Sequence, residues 1–400
     1  MRSLAARKNE VHSMAYRTPT LDEHFASGLP KRILTLDGGG LRGILTLGIL
    51  QHIEDTLRER HGGAPGFRLC DYFDLIAGTS TGAIIAATLA LGWPVKDVAT
   101  KYFELGEKVF QRSLLRQGFV RARYDERLLI DELKKVYGDQ TTLGSRDLRT
   151  GLLVVIKRLD TSSPWPVSNN PNGKYFNSRP GGTVGNGDYL LWQAVRASTA
   201  APDYFDPERI TVAALPGHMP IYGDFVDGGV SPFNNPALQA FMYATLGGYR
   251  VNWPAGEDRI LLVSVGTGSA TTAIRRSEIA AAHAFRSLLS LMDDVAGMQE
   301  ALLQWMSASP TARKIDSELG TLEGDLLGGK ALLSYARYDV NLGPVGIEEL
   351  LGRAESATIP VENLTAMDAP ENMRDLHRLG IAAGLRDVKG EHFPRPFDLP

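Results

Sequence analysis

The residue best placed to do chemistry is Ser80, the centre of a G-x-S-x-G pentapeptide at residues 78–82. A short apolar run precedes it and residues 83–90 continue as a longer apolar run, which predicts a strand, a sharp turn and a helix. A serine on such a turn is held above the sheet at a helix N-terminus, where developing negative charge is stabilised. Small residues two positions away let strand and helix pass each other, so the turn requires Gly78 and Gly82. The pattern predicts a nucleophilic serine; the alternative is a small-residue turn that serves packing alone.

A glycine-rich loop after the first predicted strand offers hydrogen-bond donors for an oxyanion. The loop, residues 37–43, has the sequence D-G-G-G-L-R-G, and a helical pattern follows it. Three successive glycines leave backbone N–H groups unobstructed, which predicts that Gly38, Gly39 and Gly40 form a nest for an anion or an oxyanion. Arg42 adds a positive charge in the first helical turn, where it either supports the loop or meets an anionic headgroup.

The same glycines also fit a nucleotide-binding pattern. Gly38, Gly40 and Gly43 satisfy the G-x-G-x-x-G fingerprint of dinucleotide-binding folds. A Rossmann unit needs a second strand that ends in an acidic residue roughly 20 positions further along. Residues 59–66 occupy that place, and their glycines and proline predict a loop. A P-loop is excluded because no Gly-Lys-Ser or Gly-Lys-Thr follows the glycines.

A third motif, Asp227-Gly228-Gly229, would by itself predict only a turn. Taken with the other two motifs, it resembles the patatin-like phospholipases, a family of lipid acyl hydrolases with a Ser-Asp dyad. The family pattern D-G-G-G-x-R-G matches residues 37–43, G-x-S-x-G matches residues 78–82, and D-G-[GA] matches residues 227–229. Two softer blocks, residues 197–202 and 265–268, also stand in the family's order. Five blocks in one order make the resemblance specific.

The resemblance implies a fold and a mechanism. The fold is an α/β one, a three-layer α/β/α sandwich with a mainly parallel central sheet. In the implied mechanism the carboxylate of Asp227 takes the proton of Ser80, and burial that raises the pKa of the aspartate makes it a better base. The glycine-loop N–H groups hold the tetrahedral oxyanion, and an acyl-serine forms and is hydrolysed. The implied activity is that of a phospholipase A-type hydrolase acting on phospholipid or another acyl-ester lipid, without a cofactor.

Two other functions stay open at the level of sequence. An ordinary α/β-hydrolase esterase would use a Ser-Asp-His triad, for which His377 and His392 are the histidines placed late in the chain. Some bacterial patatin-like proteins are antiphage effectors that a cyclic nucleotide switches on, although no motif here marks a regulator site. No spacing of His, Cys, Asp or Glu fits a metal site, so no metal is expected at the chemistry.

Length and composition bound the organisation of the chain. Its 400 residues are 43% hydrophobic, enough for a sizeable core, and strands alternate with helices without a clean linker. We expect an N-terminal arm over residues 1–29, one acyl hydrolase domain over residues 30–345, and a C-terminal helical extension and tail over residues 346–400. A formal net charge of -3 argues against a nucleic-acid polymer as a partner. The oligomeric state has no signal in the sequence.

Further features bear on localisation and membrane contact. One cysteine, Cys70, excludes an internal disulfide and fits a reducing, cytoplasmic compartment. The N-terminal residues lack the apolar stretch of a secretory signal, and no apolar run is long enough to span a bilayer. Basic and aromatic residues are interleaved over residues 101–123, which predicts either peripheral contact with an anionic membrane or a solvated helix face. Prolines and glycines over residues 160–188 predict a long loop.

Overall fold

The computed structural model describes residues 17–109, 126–269 and 280–400, with the backbone alone for residues 280–289 and at Glu362. Within them a mixed sheet contains nine strands. These are β1 Lys31–Leu36, β2 Leu75–Thr79, β3 Gly151–Arg158, β4 Ser163–Ser168, β5 Glu208–Ala213, β6 Ile221–Asp227, β7 Ile260–Val265, β8 Ser307–Ala308 and β9 Leu333–Tyr338. The strand order is β5-β6-β3-β2-β1-β7-β9-β8, with β4 paired to β3 outside this path. Pairs from β3 through β2, β1, β7 and β9 to β8 are parallel, whereas β4, β5 and β6 are joined by antiparallel pairs.

Helices cover both faces of this sheet. In the described residues they are α1 Leu21–Phe25, α2 Gly43–Arg60, α3 Leu69–Tyr72, α4 Thr81–Ala90, α5 Val95–Val109, α6 Glu126–Tyr137, α7 Leu191–Ser198, α8 Ala237–Thr245, α9 Ala280–Met306, α10 Pro344–Leu351, α11 Arg353–Ser356 and α12 Met373–Asp387. Successive side chains of a strand point to opposite faces. Leu34 of β1 accordingly joins the apolar cluster that includes α2, α4 and α12, and Ile33 joins the cluster that includes α8. The predicted three-layer α/β/α sandwich with a mainly parallel sheet is confirmed.

Strand β3 determines which remote residues meet, because three strands pair with it. Thr79 at the end of β2 pairs in parallel with Val155, and Asp227 at the end of β6 pairs antiparallel with the next residue, Ile156. The strands β2 and β6 therefore meet end to end along one edge of β3. On the other edge β4 pairs with β3, where Trp165 lies opposite Ile156. The register of β3 thus brings together the residue that follows β2 and the residue that ends β6.

The prediction of an unbroken loop over residues 160–188 is wrong for its first part. Residues 163–168 form β4, which runs antiparallel to β3. Pro164 and Pro166 are two positions apart, so the strand can place both missing N–H groups on the edge that faces away from β3. An edge strand tolerates proline in that arrangement, whereas composition alone favoured a loop.

The C-terminal residues pack directly against the helical layer. Helix α12 crosses α2 at close range: a Cβ at Gly48 would lie 2.6 Å from the nitrogen of Ile381, and one at Gly380 would overlap the carbonyl oxygen of Leu45. Glycine at both positions permits this approach of two backbones. Ile347, Leu376 and Phe397 of this part of the chain belong to the same apolar cluster as α2 and α4. The division of the chain into arm, domain and extension stays a prediction.

Two regions with predicted surface roles are described only in part. Helix α5 contains the beginning of the basic and aromatic segment, and residues 110–123 lie outside the described residues, as do residues 1–16 of the predicted arm. None of the described helices has both the length and the apolar character that crossing a bilayer requires. The prediction of peripheral membrane contact therefore stays a prediction.

Candidate active site

Ser80 lies at the turn between β2 and α4, as the sequence predicts. Its backbone has φ 55° and ψ -126°, a positive-φ conformation that residues other than glycine rarely adopt. Such a conformation costs about 1–3 kcal/mol and persists only where the surrounding structure fixes it. Helix α4 begins at Thr81, so the positive end of its dipole lies beside the serine.

Two glycines permit close approach of backbones at this turn, Gly78 between β2 and α4 and Gly82 between α4 and β1. A Cβ at Gly78 would overlap the carbonyl oxygen of Gly82, and a Cβ at Gly82 would overlap the carbonyl oxygen of Leu36 in β1. Both obstacles are backbone atoms, which a larger side chain cannot push aside cheaply. The two glycines therefore stand at the points of closest approach on either side of Ser80.

Asp227 ends β6 and directs its carboxylate at Ser80. The hydroxyl of Ser80 donates to Asp227 Oδ2 at 2.5 Å, and Asp227 Oδ1 accepts from the N–H of Gly229 at 2.7 Å. Both residues of the pair are buried, with 9% of Ser80 and 4% of Asp227 exposed. A Cβ at Gly228 would overlap the carbonyl oxygen of Val155, so the D-G-G turn passes directly against β3. The structure thus brings the predicted pair into contact.

Burial raises the pKa of Asp227 to about 6, because the carboxylate is removed from water. The hydrogen bonds from Ser80 and Gly229 and the positive charge of Arg196 act in the opposite direction and limit the rise. An aspartate with this pKa is largely ionised at neutral pH and is a stronger base than a free aspartate, whose pKa is about 4. The environment of the carboxylate therefore suits proton transfer from a hydroxyl.

Ser198, which the sequence analysis left without a role, holds the backbone of Ser80. Its hydroxyl oxygen accepts from the N–H of Ser80 at 2.8 Å, and its hydroxyl donates to the carbonyl oxygen of Val155 at 2.7 Å. Ser198 is fully buried at the end of α7. The strained turn is thereby tied to β3. The only sequence signal was the block at residues 197–202, which carried part of the family resemblance but no chemical role.

The glycine-rich loop offers fewer donors than the sequence predicts. Gly39 and Gly40 line a cavity beside Ser80, and their N–H groups have no acceptor among the described residues. The N–H of Gly38 donates instead to the carbonyl oxygen of Asn234 at 3.1 Å. Of the three predicted oxyanion donors, Gly39 and Gly40 are available in this structure and Gly38 is engaged elsewhere.

Side chains from other elements hold the carbonyl groups of the same loop. The carbonyl oxygen of Gly38 accepts from Asn234 Nδ2 and from Thr267 Oγ1, each at 3.3 Å. The carbonyl oxygen of Gly40 accepts from the hydroxyl of Tyr102 at 2.7 Å. The carbonyl of Gly38 shares a peptide plane with the N–H of Gly39, so its two bonds orient that N–H before any ligand arrives. The N–H of Gly40 shares its plane with the carbonyl of Gly39, which accepts from the backbone N–H and from Nε of Arg42 at 3.2 and 3.4 Å.

Arg42 is directed into the protein rather than towards the cavity. Its Nη1 donates to the carbonyl oxygen of Gly268 at 3.1 Å, and its Nε donates to that of Gly39 at 3.4 Å. Burial lowers the pKa of the guanidinium, and the residue does not line the cavity. Of its two predicted roles, these contacts favour support of the loop over binding of a headgroup.

A cavity of about 90 Å³ adjoins the contact between Ser80 and Asp227. Its lining is mainly apolar. The larger apolar side chains are Leu41, Ile84, Leu105, Leu129, Tyr204, Phe205, Val230, Met292 and Met367. Among the described residues Asp227 is the one carboxylate, and no basic side chain takes part. Such a lining suits a hydrocarbon chain better than a polar group.

The histidines considered for a triad lie elsewhere. His392 Nδ1 is 2.9 Å from the hydroxyl of Tyr338, and the ring of His377 packs edge-on against Phe103 with centroids 5.5 Å apart. Neither lines the cavity. For metals, the described part of the chain has no group of three or more His, Cys, Asp or Glu residues placed to hold an ion.

Comparisons with known proteins identify a family for this arrangement. Residues 34–241, slightly more than half of the 400 residues, match the sequence model described as patatin-like phospholipase. A cGAMP-activated phospholipase of Vibrio cholerae is 30% identical over 217 residues, which cover 52% of this chain and 56% of that protein. A cUMP-AMP-activated phospholipase of Escherichia coli is 35% identical over 221 residues, which cover 54% and 59%. The chain thus spans little more than half the length of these two curated relatives.

Other matches are longer or purely structural. An Arabidopsis thaliana protein named probable inactive patatin-like protein 9 is 28% identical over 351 residues, covering 84% of this chain and 86% of that protein. The solved structure of human GIVD cytosolic phospholipase A2 covers 89% of this chain and 58% of its own, with a TM-score of 0.44 and 12% identity. The structure of VipD from Legionella pneumophila covers 88% and 67%, with a TM-score of 0.33 and 18% identity.

Proposed function

This chain belongs to the patatin-like phospholipase family, and we propose that it is a lipid acyl hydrolase that cleaves fatty-acyl esters, as a phospholipase A does. One observation carries the proposal: the 2.5 Å hydrogen bond from Ser80 Oγ to Asp227 Oδ2. It joins a serine on a strained turn to a buried carboxylate, beside an apolar cavity. In the proposal Ser80 is the nucleophile and Asp227 is the general base.

The first half of the reaction forms an acyl-serine. Asp227 Oδ2 takes the hydroxyl proton while Ser80 Oγ bonds to the ester carbonyl carbon, and the carbonyl electron pair moves onto oxygen. The N–H groups of Gly39 and Gly40 donate to this oxyanion, and a lost donor of this kind typically costs about 3–4 kcal/mol in barrier height. When the carbonyl reforms, the C–O bond of the ester breaks and the leaving alkoxide takes the proton from Asp227.

The second half releases the acid and restores the serine. Asp227 removes a proton from water, the resulting hydroxide adds to the acyl carbon, and the same N–H groups hold the second oxyanion. Collapse of this intermediate expels Ser80 Oγ, which regains its proton from Asp227. One carboxylate therefore serves as base and acid in both halves, and the scheme needs no histidine. The positions of His377 and His392, which pack against Phe103 and Tyr338, favour this dyad over a triad.

The lining of the cavity supports a lipid substrate. An acyl chain can lie among the apolar side chains beside Ser80 while the ester faces the glycine loop. The cavity of about 90 Å³ is small, since small-ligand sites usually measure about 300–1,000 Å³. A long chain therefore requires flexible lining residues such as Met292 and Met367 to move. Because phospholipid esters lie at a membrane surface, the proposal includes peripheral membrane contact by a cytoplasmic protein.

Membership of the family and hydrolytic activity are separate properties, as one of the relatives shows. A protein that matches most of this chain is named as probably inactive, so membership alone does not establish hydrolysis. What supports activity here is this chain's own geometry, namely the contact between Ser80 and Asp227 and the two N–H groups without acceptors.

Covalent labelling tests the proposal. A fluorophosphonate should label the purified protein once, and Ser80→Ala should abolish both the label and hydrolysis of a panel of phospholipids and neutral esters. Ser334→Ala is the matched control, because Ser334 is equally buried and bonds to the Glu257 carbonyl away from the cavity. Full labelling of Ser80→Ala would overturn the assignment, and the panel would reveal headgroup and acyl-position preference.

Nucleotide-dependent activity is a second candidate function. Two relatives at 30% and 35% identity are named as phospholipases that cGAMP or cUMP-AMP activates. For the present chain, the second candidate is the same lipid acyl hydrolase with a rate that depends on such a nucleotide. Hydrolysis measured with and without each of these two compounds tests it, and equal rates in all three conditions would reject it.

A further inference from the structure

A buried ion network adjoins the start of the glycine-rich loop. The guanidinium of Arg337 in β9 donates to both carboxylate oxygens of Asp37, from Nη1 to Oδ1 at 3.0 Å and from Nη2 to Oδ2 at 2.7 Å. Nη1 also donates to Ser264 Oγ at 2.8 Å, and Nη2 to Asp339 Oδ2 at 3.2 Å. The side chains of Arg337 and Asp37 are 9% and 8% exposed. None of these four residues lines the cavity beside Ser80, so the network does not contact a substrate held there.

The register of the sheet explains why an arginine makes this contact. Arg337 lies opposite Ser264 in β7, and Ser264 lies opposite Thr35 in β1. Asp37 stands two positions after Thr35 and therefore on the same face of the sheet. Strands β1 and β9 are two strand spacings apart, about 10 Å, a gap that the long side chain of arginine can cross. Its planar guanidinium can then bind several oxygens at once, which the single ammonium of lysine cannot do in the same geometry.

Asp339 extends the network to the contacts on the glycine loop. Its Oδ1 accepts from the N–H groups of Gly268 and Val340 at 2.8 and 3.0 Å. The carbonyl oxygen of Gly268 in turn accepts from Arg42 Nη1 at 3.1 Å. Arg42 Nε donates to the carbonyl oxygen of Gly39 at 3.4 Å. A continuous chain of hydrogen bonds thus runs from β9 to a carbonyl of the loop.

Peptide planes connect these contacts to the two free N–H groups of the loop. The carbonyl of Gly38 shares a plane with the N–H of Gly39, and the carbonyl of Gly39 shares one with the N–H of Gly40. Thr267 Oγ1 donates to the first carbonyl at 3.3 Å, and Arg42 donates to the second. The network restrains both of these donors, because it holds the N–H that follows Thr267 and, through the same residue, the carbonyl that Arg42 binds.

We propose that Arg337 and Asp339 are positioning residues for the candidate oxyanion donors Gly39 and Gly40, an inference that rests on the proposed hydrolase. Arg337 holds Asp37 at the start of the loop, and Asp339 holds the contacts on the loop carbonyls. Both residues lie beyond residue 241, where the match to the family model ends. Their role is to keep two N–H groups aimed at the point where charge develops, since a misplacement of about 1 Å can lower a rate about 10²-fold.

Two buried ion pairs of the same kind separate positioning from stability. Near the other end of β1, Arg32 also donates to both carboxylate oxygens of an aspartate, Asp74, at 2.9 and 3.1 Å, and its side chain is 7% exposed. Arg337→Lys and Arg32→Lys should both lower the melting temperature, because lysine keeps the charge but not the paired bonds. Only Arg337→Lys should lower kcat, by about tenfold to hundredfold, with KM and the pH midpoint unchanged. Equal kcat in the two variants would overturn the proposal.

Asp339→Ala removes the second part of the network and leaves Asp37 paired. The N–H of Gly268 loses its acceptor, so kcat should fall about tenfold. Affinity for a long-chain alkyl trifluoromethyl ketone, which adds to Ser80 as an oxyanion, should weaken by the same factor as kcat/KM. Asp316→Ala is the control, because Asp316 Oδ1 also accepts from two backbone N–H groups, at 2.8 and 2.7 Å, away from the cavity. Unchanged ketone affinity in Asp339→Ala would contradict a role at the oxyanion.

A double variant separates positioning from the cost of an unpaired charge. Arg337→Met leaves the buried carboxylate of Asp37 without its cation, whereas Arg337→Met combined with Asp37→Asn removes both charges. The double variant should regain most of the melting temperature that Arg337→Met loses. Its kcat should stay at least about tenfold below that of the wild type, because methionine binds neither end of the network. Full recovery of kcat would show that the arginine serves only to neutralise the aspartate.

Hydrogen exchange tests the effect on the loop independently of hydrolysis. The N–H groups of Gly38, Leu41 and Arg42 are hydrogen-bonded, so their exchange measures how firmly the loop is held. Exchange within residues 37–43 should be at least about fivefold faster in Arg337→Lys and Asp339→Ala, and unchanged in both controls. Unchanged exchange would overturn the inference even in an active enzyme. Faster exchange in a protein that hydrolyses no ester would reject the proposed function and keep the link between network and loop.

Discussion

At the scale of single residues, the candidate dyad combines two features that cost stability. Ser80 has a φ of 55°, and Asp227 is a buried carboxylate whose pKa burial raises to about 6. Both features persist because neighbours hold them, Ser198 at the serine N–H and Gly229 at the carboxylate. Strained backbone and buried charge are typical of functional sites, where geometry matters more than local stability.

Replacing the carboxylate of Asp227 with an amide separates its role as a base from its role in the structure of the turn. Asp227→Asn should lower turnover by at least about 10², because an amide cannot accept the serine proton. The side-chain oxygen can still accept from Gly229, and the variant removes a buried negative charge, so the melting temperature should stay constant or rise. Steady-state hydrolysis and thermal melting by circular dichroism measure the two effects. Near-normal turnover would leave Asp227 with a structural role only.

The pH profile follows from the raised pKa of the same residue. Asp227 acts as a base only when deprotonated, and its pKa is raised to about 6. The value of kcat/KM on a neutral ester should therefore be low in acid, rise through one ionisation near pH 6 and then level off. A midpoint near pH 4, the value of a free aspartate, would contradict the burial argument. A second ionisation that lowers the rate above neutral pH would point to another acid.

Ser198 is predicted to be a positioning residue for Ser80. Ser198→Ala leaves the N–H of Ser80 and the carbonyl of Val155 without their partner, a cost of about 1–3 kcal/mol. Because this cost falls on the turn that aims the hydroxyl, kcat should fall about tenfold to hundredfold while KM and the pH midpoint stay the same.

The control for that variant is Ser307→Ala. Ser307 is a buried serine whose hydroxyl has no hydrogen-bond partner among the described residues and which lies outside the cavity. It should keep its full kcat. If Ser198→Ala changed stability but not kcat, the serine would hold the fold together without aiming the hydroxyl.

At the scale of elements, the crossing of α2 and α12 has no room for one added carbon atom at Gly48 or Gly380. The glycine loop leads directly into α2, so the helix that α12 packs against is also the support of that loop. Close approach at Gly48 and Gly380 leaves no room for a side chain, since the facing atoms belong to the backbone. Rigid packing of α12 should therefore contribute to the position of the loop.

Gly380→Ala tests this crossing. The new methyl would overlap the carbonyl oxygen of Leu45, so the free energy of unfolding should fall by about 1–3 kcal/mol. This is the net change: the clash outweighs the stabilisation of about 1 kcal/mol that the higher helix propensity of alanine would give by itself. Gly390→Ala is the control in the same segment, because nothing lies within 4 Å of its Cβ position. Equal stability of the two variants in urea unfolding would contradict the packing argument.

At the scale of the whole molecule, residues beyond the region that matches the family complete the candidate site. The match ends at residue 241, yet Thr267, Met292 and Met367 contact the glycine loop or line the cavity. The carbonyl of Met367 also accepts from the N–H of Leu41 at 2.7 Å. The C-terminal part of the chain is therefore placed to influence which acyl chains enter.

Met367→Ala should change chain-length preference. Shortening the side chain enlarges the cavity while the carbonyl keeps its bond to Leu41, so hydrolysis of long-chain esters should rise relative to short-chain esters by about threefold to tenfold. Rates on a series of p-nitrophenyl esters measure the ratio. Met219→Ala, an exposed methionine, is the control. An unchanged ratio would show that Met367 does not limit the cavity.

Local motifs made the candidate residues predictable from sequence. The turn with Gly78 and Gly82 is recognisable from a five-residue motif, and the glycine loop and the D-G-G turn are equally short-range patterns. The layered fold came from the resemblance that these motifs carry. The edge strand β4 was missed, because Pro164 and Pro166 favour loops unless their missing N–H groups face away from the sheet.

Tertiary structure decided everything that depends on strand register and on contacts between distant residues. Ser80 and Asp227 are 147 positions apart and meet because β2 and β6 abut on one edge of β3. The same packing engages Gly38 with Asn234 and ties Ser80 to Ser198. The sequence by itself determined where the sharp turns lie and which candidate residues they carry, since the conformation of a turn depends mainly on neighbours in the chain. Which of those turns face each other was decided only by the folded sheet, because hydrogen-bond register joins residues that the chain order keeps apart.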